Sequence, residues 1–350
     1  MAVSVCIATG RRTTLLEACL ASLAAQEGAP PFEVLVCADG DESVATCVHR
    51  WFPGSWVCYV ASALPGAARN LLIERARGEI VLFLDDDVTV ERDLLARLVR
   101  LAAEQPDVGV FGGPNETPAG SSRFQLVQGA VLSSMVGSGP VRRRYGPHPE
   151  GSADERFFTL CNLAIRRSVM RPFSTDLVCA EENELLSAMS TLGIGMYYDP
   201  ALVAYHERRD TWRGFVQQMH KYGRGRGQLS RQRPRTLRPA HLAPTGLLAY
   251  LPAAPVAFAA VGPLALLPLA VYAAAVVASS AWVARTLRRP TTVPLAAGLF
   301  VALHAAYGAG VLRGLVGRTR TVAQPAAQSW STADQVIDLR EPKRARELVE

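Results

Sequence analysis

The chain has 350 residues, of which 49% are apolar and 19% charged, with a mean hydropathy of +0.13. That length suggests about two domains, and the apolar content excludes a disordered or collagen-like chain. A positive mean hydropathy with so few charges points to a membrane part, so the formal charge of +6 must be located along the chain before it can argue for nucleic acid.

In chain order, Val3–Ala8 reads as a buried strand and Thr13–Gln26 as a helix with Leu16, Leu20 and Leu23 on one face. Glu33–Cys37, Val57–Val60 and Ile80–Leu84 read as further strands, with helices over 66–77 and 91–104. This alternation predicts a parallel sheet covered by helices, and ligands collect at the carboxyl ends of such strands. Two acidic clusters stand at those ends: Asp39-Gly40-Asp41 after the second strand and Asp85-Asp86-Asp87 after the fourth. Three consecutive aspartates repel one another unless a cation or hydrogen-bond donors answer them. A divalent ion shared with substrate phosphates fits the triplet, and so does an acidic N-cap for the helix starting near Glu91. The seven cysteines all precede residue 180 without C-x-x-C spacing, which predicts reduced core thiols in a cytoplasmic domain. The first apolar run ends at Gly10-Arg11-Arg12, too early for a signal peptide.

The charges are segregated. Residues 1–220 carry 26 acidic and 20 basic side chains, whereas residues 221–320 carry 13 basic and no acidic ones. The positive excess thus lies in the most apolar stretch, which suits a membrane surface better than a nucleic-acid groove. No charge separates Arg238 from Arg285, and the 46 residues between them make about 69 Å of helix, about two crossings of a ~30 Å hydrocarbon core. Gly262-Pro263 stands where such a hairpin would turn. A second uncharged run, between Arg289 and Arg313, contains Pro290, Pro294 and His304. A full crossing would set Arg313, Arg318 and Arg320 opposite Arg285, Arg288 and Arg289, against the positive-inside tendency, so a re-entrant or in-plane course stays open beside a spanning one.

Taken in order, these pieces resemble the family 2 glycosyltransferases over about residues 3–228. The resemblance runs through Val3–Thr9, Gln26, Val36-Cys-Ala-Asp-Gly40, Gly66-Ala-Ala-Arg-Asn70 and the stretch Gly78–Asp87. It continues through Asn162-Leu-Ala-Ile-Arg166, Glu181-Glu-Asn-Glu-Leu185 and Tyr198-Asp-Pro200 before His206. Glu181–Leu185, His220–Arg226 and the apolar tail look most like the succinoglycan-biosynthesis-type branch. The resemblance implies an α/β GT-A fold (Rossmann-like, mostly parallel sheet) followed by α-helical membrane segments. The expected divisions are a catalytic domain over 1–228, a basic juxtamembrane linker over 229–241 and a transmembrane hairpin over 242–284. A third apolar segment over 290–320 and a polar tail over 321–350 follow.

It further implies nucleotide-sugar contacts at Thr9, Asp39, Arg69, Asp85 and Asp86, and a divalent cation (Mg²⁺ or Mn²⁺) at Asp87 with Asp85 and His206. Glu182 stands where the family has its catalytic aspartate and becomes the base, with Glu181 in reserve. Gln218, Lys221, Tyr222 and Arg224 become acceptor or diphosphate contacts, with Arg226 beside them. Structural readings stand against several of these: Asp39 as a turn cap, Arg69 as a surface partner of Glu74, and the glutamates as first-turn acids; Arg142-Arg-Arg144 stays open between touching the acceptor and meeting only solvent. The expected function is inverting, metal-dependent transfer of a sugar from a nucleotide-sugar to a lipid-linked or membrane-presented glycan. The site of action is the cell membrane, in a multi-pass protein with its catalytic domain cytoplasmic, and with membrane lipids but no nucleic acid as partners. An inactive membrane scaffold that keeps the donor pocket, and a sugar nucleotidyltransferase, are the alternatives.

Overall fold

The computed structural model describes residues 2–10, 13–39, 42–59, 65–177, 179–317 and 328–329. Gly40, Asp41, Arg318, Arg320 and the polar tail apart from 328–329 lie outside the described residues. The first half runs β1 (Val3–Thr9), α1 (Thr13–Ala24), β2 (Phe32–Ala38), α2 (Glu42–Trp51), β3 (Trp56–Tyr59), α3 (Pro65–Arg75), β4 (Ile80–Asp85) and β5 (Val88–Val90). It continues with α4 (Leu94–Glu104), β6 (Val108–Gly112), β7 (Asn115–Glu116), α5 (Arg123–Leu132) and α6 (Met135–Ser138). Then come β8 (Gly151–Ser152), β9 (Leu163–Arg166), α7 (Glu181–Thr191), β10 (Gly195–Tyr198), β11 (Ala204–His206) and α8 (Trp212–Gln232). The apolar helices are α9 (Pro239–Val261), α10 (Leu267–Thr286) and α11 (Val293–Val316), and β12 (Gln328–Ser329) is the last element.

The main sheet has the order β12-β3-β2-β1-β4-β9-β6-β10-β8. β1 lies parallel between β2 and β4, with Val5 opposite both Val34 and Leu82. These three strands are near-continuous apolar runs because both of their faces are covered. One face packs Leu16, Leu20 and Leu23 of α1 with Leu94, Leu95 and Leu98 of α4. The other packs Leu72, Phe83, Leu185 and Tyr198 around α3 and α7. β9 enters antiparallel between β4 and β6, so the sheet is mixed rather than uniformly parallel. A second, three-stranded sheet, β5-β11-β7, sits beside the end of β4. In it His206 is registered against Val88, the residue after the aspartate triplet.

α8 joins this fold to the apolar helices. Built onto Gly223 or Gly227 of α8, a Cβ would lie 2.1 Å from the Tyr307 carbonyl oxygen or 2.3 Å from that of Val311. The reciprocal glycines of α11, Gly310 and Gly314, would meet the His220 and Arg224 carbonyl oxygens at 2.2 Å each. Two glycine pairs at i,i+4 spacing therefore let the backbones touch, as small-xxx-small helix pairs do in membranes. A third core of Val127, Phe215, Val276, Phe300 and Leu303 ties α5, α8, α10 and α11 together. α9 and α10 form one long apolar stretch broken at Gly262, whose φ of 64° lies in the left-handed region that glycine tolerates, and both pack against α11. The outer face of this stretch carries Val256 and Leu264, each 74% exposed. By length and composition the stretches Pro239–Thr286 and Pro290–Val316 are long and apolar enough to cross a membrane, and the second is half buried in the protein. The expected catalytic boundary at 228 falls within the continuous helix α8.

Candidate active site

A cavity of about 1210 Å³ opens at the carboxyl ends of β1, β2 and β4. Thr9, Asp39, Arg69, Asp85, Asp86, Asp87, Glu181, Glu182, His206, Gln218, Lys221 and Tyr222 all line it. Twelve positions taken from scattered motifs thus converge. Arg224 does not line the cavity, whereas Arg226, one step further along α8, does.

The floor is the aspartate triplet. It closes β4 and turns into β5, while α4 begins only at Leu94, so these carboxylates cap no helix. Each has its own partner. Asp85 accepts from Arg69 at 3.1 Å. Asp86, 1% exposed, accepts from the Thr9 hydroxyl at 2.6 Å. Asp87 Oδ1 lies 3.1 Å from His206 Nε2, and its Oδ2 lies 3.5 Å from Arg209. The tautomer of His206 follows from its other side. Arg208, buried and always a donor, approaches Nδ1 at 3.2 Å, so Nδ1 accepts and Nε2 carries the proton toward Asp87. In this arrangement His206 holds Asp87 as a hydrogen-bond donor. Arg208 is itself fixed by the Asn115 backbone and side-chain oxygens at 2.8 and 2.7 Å and by Thr117 at 3.0 Å. Burial lowers its pKa, against the opposing pull of Tyr145 and other groups around it, Asp87 among them.

The wall opposite the floor is the start of α7. Arg69 does not pair with Glu74; its side chain, 9% exposed, donates to Glu181 Oε1 at 2.5 Å and bridges to Asp85. Burial works against the guanidinium charge, yet Glu181 and Asp85 raise its pKa. Burial also raises the pKa of Glu181, against the pull of Arg69 and with the push of Glu182. The second oxygen of Glu181 is buried with no hydrogen-bond partner. Glu182 differs. Its Oε1 accepts from the Asn183 amide at 2.7 Å and lies 3.6 Å from Arg144. The same Asn183 accepts from Arg144 at 2.7 Å, which closes a triangle. Among the described residues nothing engages Glu182 Oε2, and the residue lines the cavity. Just before the pair, Ala180 adopts a left-handed conformation at φ 71°, strained for a non-glycine residue and therefore a sign of a position fixed by its surroundings.

The remaining wall is α8. Gln218, in the amide orientation that satisfies its neighbours, accepts from Arg209 and from Tyr222, each at 3.2 Å. Burial pushes the Tyr222 hydroxyl well above its ordinary pKa, so it stays a neutral donor. Cys179 lines the cavity next to the glutamates, and burial holds its thiol at about 12, so it is no nucleophile at neutral pH. Among the described residues no three His, Cys, Asp or Glu side chains form a ready metal cage.

Residues 4–172 match the family model "Glycosyl transferase family 2". Over those residues the chain is similar to the family 2 glycosyl transferases. Among solved structures, the mannosyltransferase PcManGT from Pyrobaculum calidifontis, in complex with GDP-Man and Mn²⁺, aligns with a TM-score of 0.56 at 19% identity, covering 90% of this chain and 87% of that one. S. aureus TarS 1-349 in complex with UDP-GlcNAc aligns at a TM-score of 0.45 and 15% identity, covering 89% of this chain and 91% of that one. Comparison with curated proteins gives no match. The first of these structures fixes the fold as GT-A.

The cavity also uses residues that the sequence pattern does not single out. Arg209 reaches Asp87 and Gln218, Asn183 bridges Arg144 to Glu182, and Tyr145, Arg156 and Arg238 line the cavity. Arg209 follows His206 within Glu207-Arg-Arg-Asp210, a run that reads as solvated charge until β11 and α8 place it. Arg144, left open between acceptor and solvent, is 8% exposed and faces Glu182.

Proposed function

We propose that this protein is an inverting glycosyltransferase that moves a sugar from a nucleotide-sugar donor to a hydroxyl of a lipid-linked or membrane-presented glycan. The observation that carries the reading is the difference between the two adjacent glutamates. Glu181 spends one oxygen on Arg69 and buries the other. Glu182 has one oxygen fixed and the other unengaged at the cavity. A base that must take a proton from an attacking hydroxyl needs that combination of fixed orientation and one accessible lone pair. Attack from the Glu182 side, opposite the departing diphosphate, inverts the anomeric carbon in one displacement.

On the donor side, Asp39 and Thr9 lie at the mouth of β1 and β2, where nucleotide binding is expected in sheets of this kind. Donor class is supported by the GDP-Man in the Pyrobaculum neighbour, and the Mn²⁺ there supports a divalent cation. The residues here fit such an ion in part. Asp85 and Asp87 supply the oxygen chemistry that Mg²⁺ and Mn²⁺ favour, with diphosphate oxygens to complete the set. His206, protonated on Nε2, orients Asp87 rather than offering a lone pair. When bound, the ion neutralises charge on the departing diphosphate. The chain's own contribution is Arg69 and Arg209, which place two further positive charges beside the same carboxylates.

The two apolar stretches and the acid-free basic segment support a domain held against a bilayer on its cytoplasmic side, with the apolar segment over 242–284 as the anchor. The test uses the purified full chain with a panel of nucleotide-sugars and Mn²⁺ or Mg²⁺, and measures nucleoside diphosphate release in the presence of membrane lipid extract. Release is expected with one donor class, lost with EDTA and in Asp87→Ala. No release with any donor would sink the reading in favour of an inactive scaffold.

A further inference from the structure

Arg208 is a buried charge for which the transfer chemistry has no use. It is 6% exposed, and among the described residues it pairs with no carboxylate. A guanidinium taken out of water without an anion beside it is costly, so its position needs a reason. Thr117 accepts from its Nε, Asn115 accepts twice from its Nη2, and the Tyr145 ring centre lies 5.4 Å from its central carbon. The remaining nitrogen, Nη1, approaches His206 Nδ1 at 3.2 Å.

Neither partner is free to turn away. Gln125 of α5 donates to the Arg208 carbonyl oxygen and to Glu207 Oε1, each at 2.8 Å. The Glu207 N–H donates to the Asp87 carbonyl oxygen at 2.9 Å, and β11 pairs His206 with Val88 of β5. A histidine that ligates a metal donates its other ring N–H to a carboxylate, a carbonyl oxygen or water. His206 has the reverse: the nitrogen turned away from Asp87 faces a group that can only donate. Offering Nε2 to a cation would move the ring proton to Nδ1 and set N–H against N–H. What a cation meets here is carboxylate and diphosphate oxygen, which suits Mg²⁺ and Mn²⁺, whereas imidazole suits Zn²⁺ and Ni²⁺.

We propose that Arg208 sets the choice of cation: its donor at His206 Nδ1 keeps the imidazole lone pair out of the site and leaves an oxygen-only ligand set. Arg208 is thus a positioning residue that acts through His206, and His206 acts through Asp87. This rests on the glycosyl-transfer reading and adds to it a selectivity for Mg²⁺ or Mn²⁺ over Zn²⁺ or Ni²⁺.

The first test needs no metal. Nitrogen-15 NMR of the full chain in neutral detergent, with His206→Gln to assign the ring signals, reads which nitrogen carries the proton. A proton on Nε2 is expected in the wild type, with a shift of population towards Nδ1 in Arg208→Met. A wild-type proton on Nδ1 overturns the proposal. The second test measures Mn²⁺ and Zn²⁺ affinity, each metal alone. His206→Gln keeps a side-chain N–H for Asp87 and is expected to hold Mn²⁺ affinity within about threefold; a larger loss would make His206 a ligand and overturn the proposal. Arg208→Met is expected to raise Zn²⁺ affinity relative to Mn²⁺ by about tenfold, and adding His206→Gln to abolish that gain. An unchanged ratio in Arg208→Met, or a gain that survives in the double variant, overturns it as well. Should Arg208→Met not fold, the wild-type tautomer and His206→Gln decide the matter. Nucleoside diphosphate release is measured on the same wild-type preparation. The expected tautomer and selectivity without release from any donor would sink the glycosyl-transfer reading and leave the cation site standing.

Discussion

Replacing Glu182 by glutamine removes the proton acceptor and almost nothing else. The side chain keeps its length, and an amide oxygen can still accept from Asn183 as Oε1 does at 2.7 Å. The 3.6 Å ion pair with Arg144 is lost, but Arg144 keeps its bonds to the Asn183 side-chain oxygen at 2.7 Å and to the Glu155 carbonyl oxygen at 2.8 Å, so its buried charge stays answered. A positioned general base contributes about 10²–10⁴ in rate, or about 2.7–5.5 kcal/mol of barrier. Glu182→Gln is therefore expected to lose that factor in single-turnover nucleotide release while donor affinity holds within about twofold. Glu182→Asp pulls the carboxylate back by one methylene, about 1.5 Å, and a misplacement of about 1 Å costs about 10²-fold. Glu181→Gln keeps an acceptor for Arg69, which also retains Asp85, and is expected to cost less than about tenfold. The reasoning is refuted if Glu182→Gln keeps more than about a tenth of the wild-type rate, or if Glu181→Gln loses as much as Glu182→Gln.

Other consequences follow from individual contacts. Thr9→Val leaves Asp86, 1% exposed, without its 2.6 Å hydroxyl donor, and a denaturant titration should show a loss of about 1–3 kcal/mol. Gly310→Val would drive a Cβ into the His220 carbonyl oxygen, 2.2 Å away, and should separate α8 from α11; a fall in melting temperature and new proteolysis within α8 would report it, and an unchanged melting temperature would contradict the packing. Glu181 titrates higher in the folded state than its ordinary 4.5, so the folded state binds the proton more readily than the unfolded one. Its contribution favours folding most below pH 4.5 and declines as pH rises from there through the folded value; Glu181→Gln should flatten that part of the stability-against-pH curve.

Much of the fold was legible because its signals are local. The apolar runs of β1, β2 and β4 and the Leu16-Leu20-Leu23 face of α1 need no knowledge of distant residues, and their bounds differ from the expectation by one or two positions. α2 escaped notice because it is only ten residues long and its buried positions, Val44, Ala45, Cys47 and Val48, are mostly weak helix formers. The antiparallel β9 was equally hidden, since register cannot be read from one strand alone. In the site, the triplet and the glutamate pair announce themselves as clustered charge. Arg144, Asn183 and Arg209 do not, because what gives them meaning is a partner 39 residues away for the first two and 122 residues away for the third. The role of Arg69 is of the same kind: Glu74 is its neighbour in sequence, but Glu181, 112 residues on, is its neighbour in space.

The run Gly223-Arg-Gly-Arg-Gly227 shows how the apolar helices bear on catalysis. Gly223 and Gly227 seat α11, while Gly225, between them, seats the loop that carries Cys179, Ala180 and the two glutamates. A Cβ on Gly225 would stand 2.3 Å from Cys179 Sγ and 2.7 Å from its carbonyl oxygen. α8 is thus clamped from both sides, and the backbone two residues before Glu181 rests directly on it. Gly225→Ala adds helix propensity worth about 1 kcal/mol, so a purely structural account predicts equal or greater stability and unchanged turnover. The clamp predicts the opposite for activity. The Cys179 backbone must move by several tenths of an ångström, Ala180 has no slack at φ 71°, and Glu182 shifts off its line. Turnover should fall by about tenfold or more while far-UV circular dichroism and melting temperature hold. Cys179→Ala removes the sulfur but not the carbonyl oxygen, so the double variant should recover only part of the rate. Full activity in Gly225→Ala would mean that the glutamates are positioned by Arg69 and Arg144 alone, and that the apolar helices anchor the enzyme without setting its geometry.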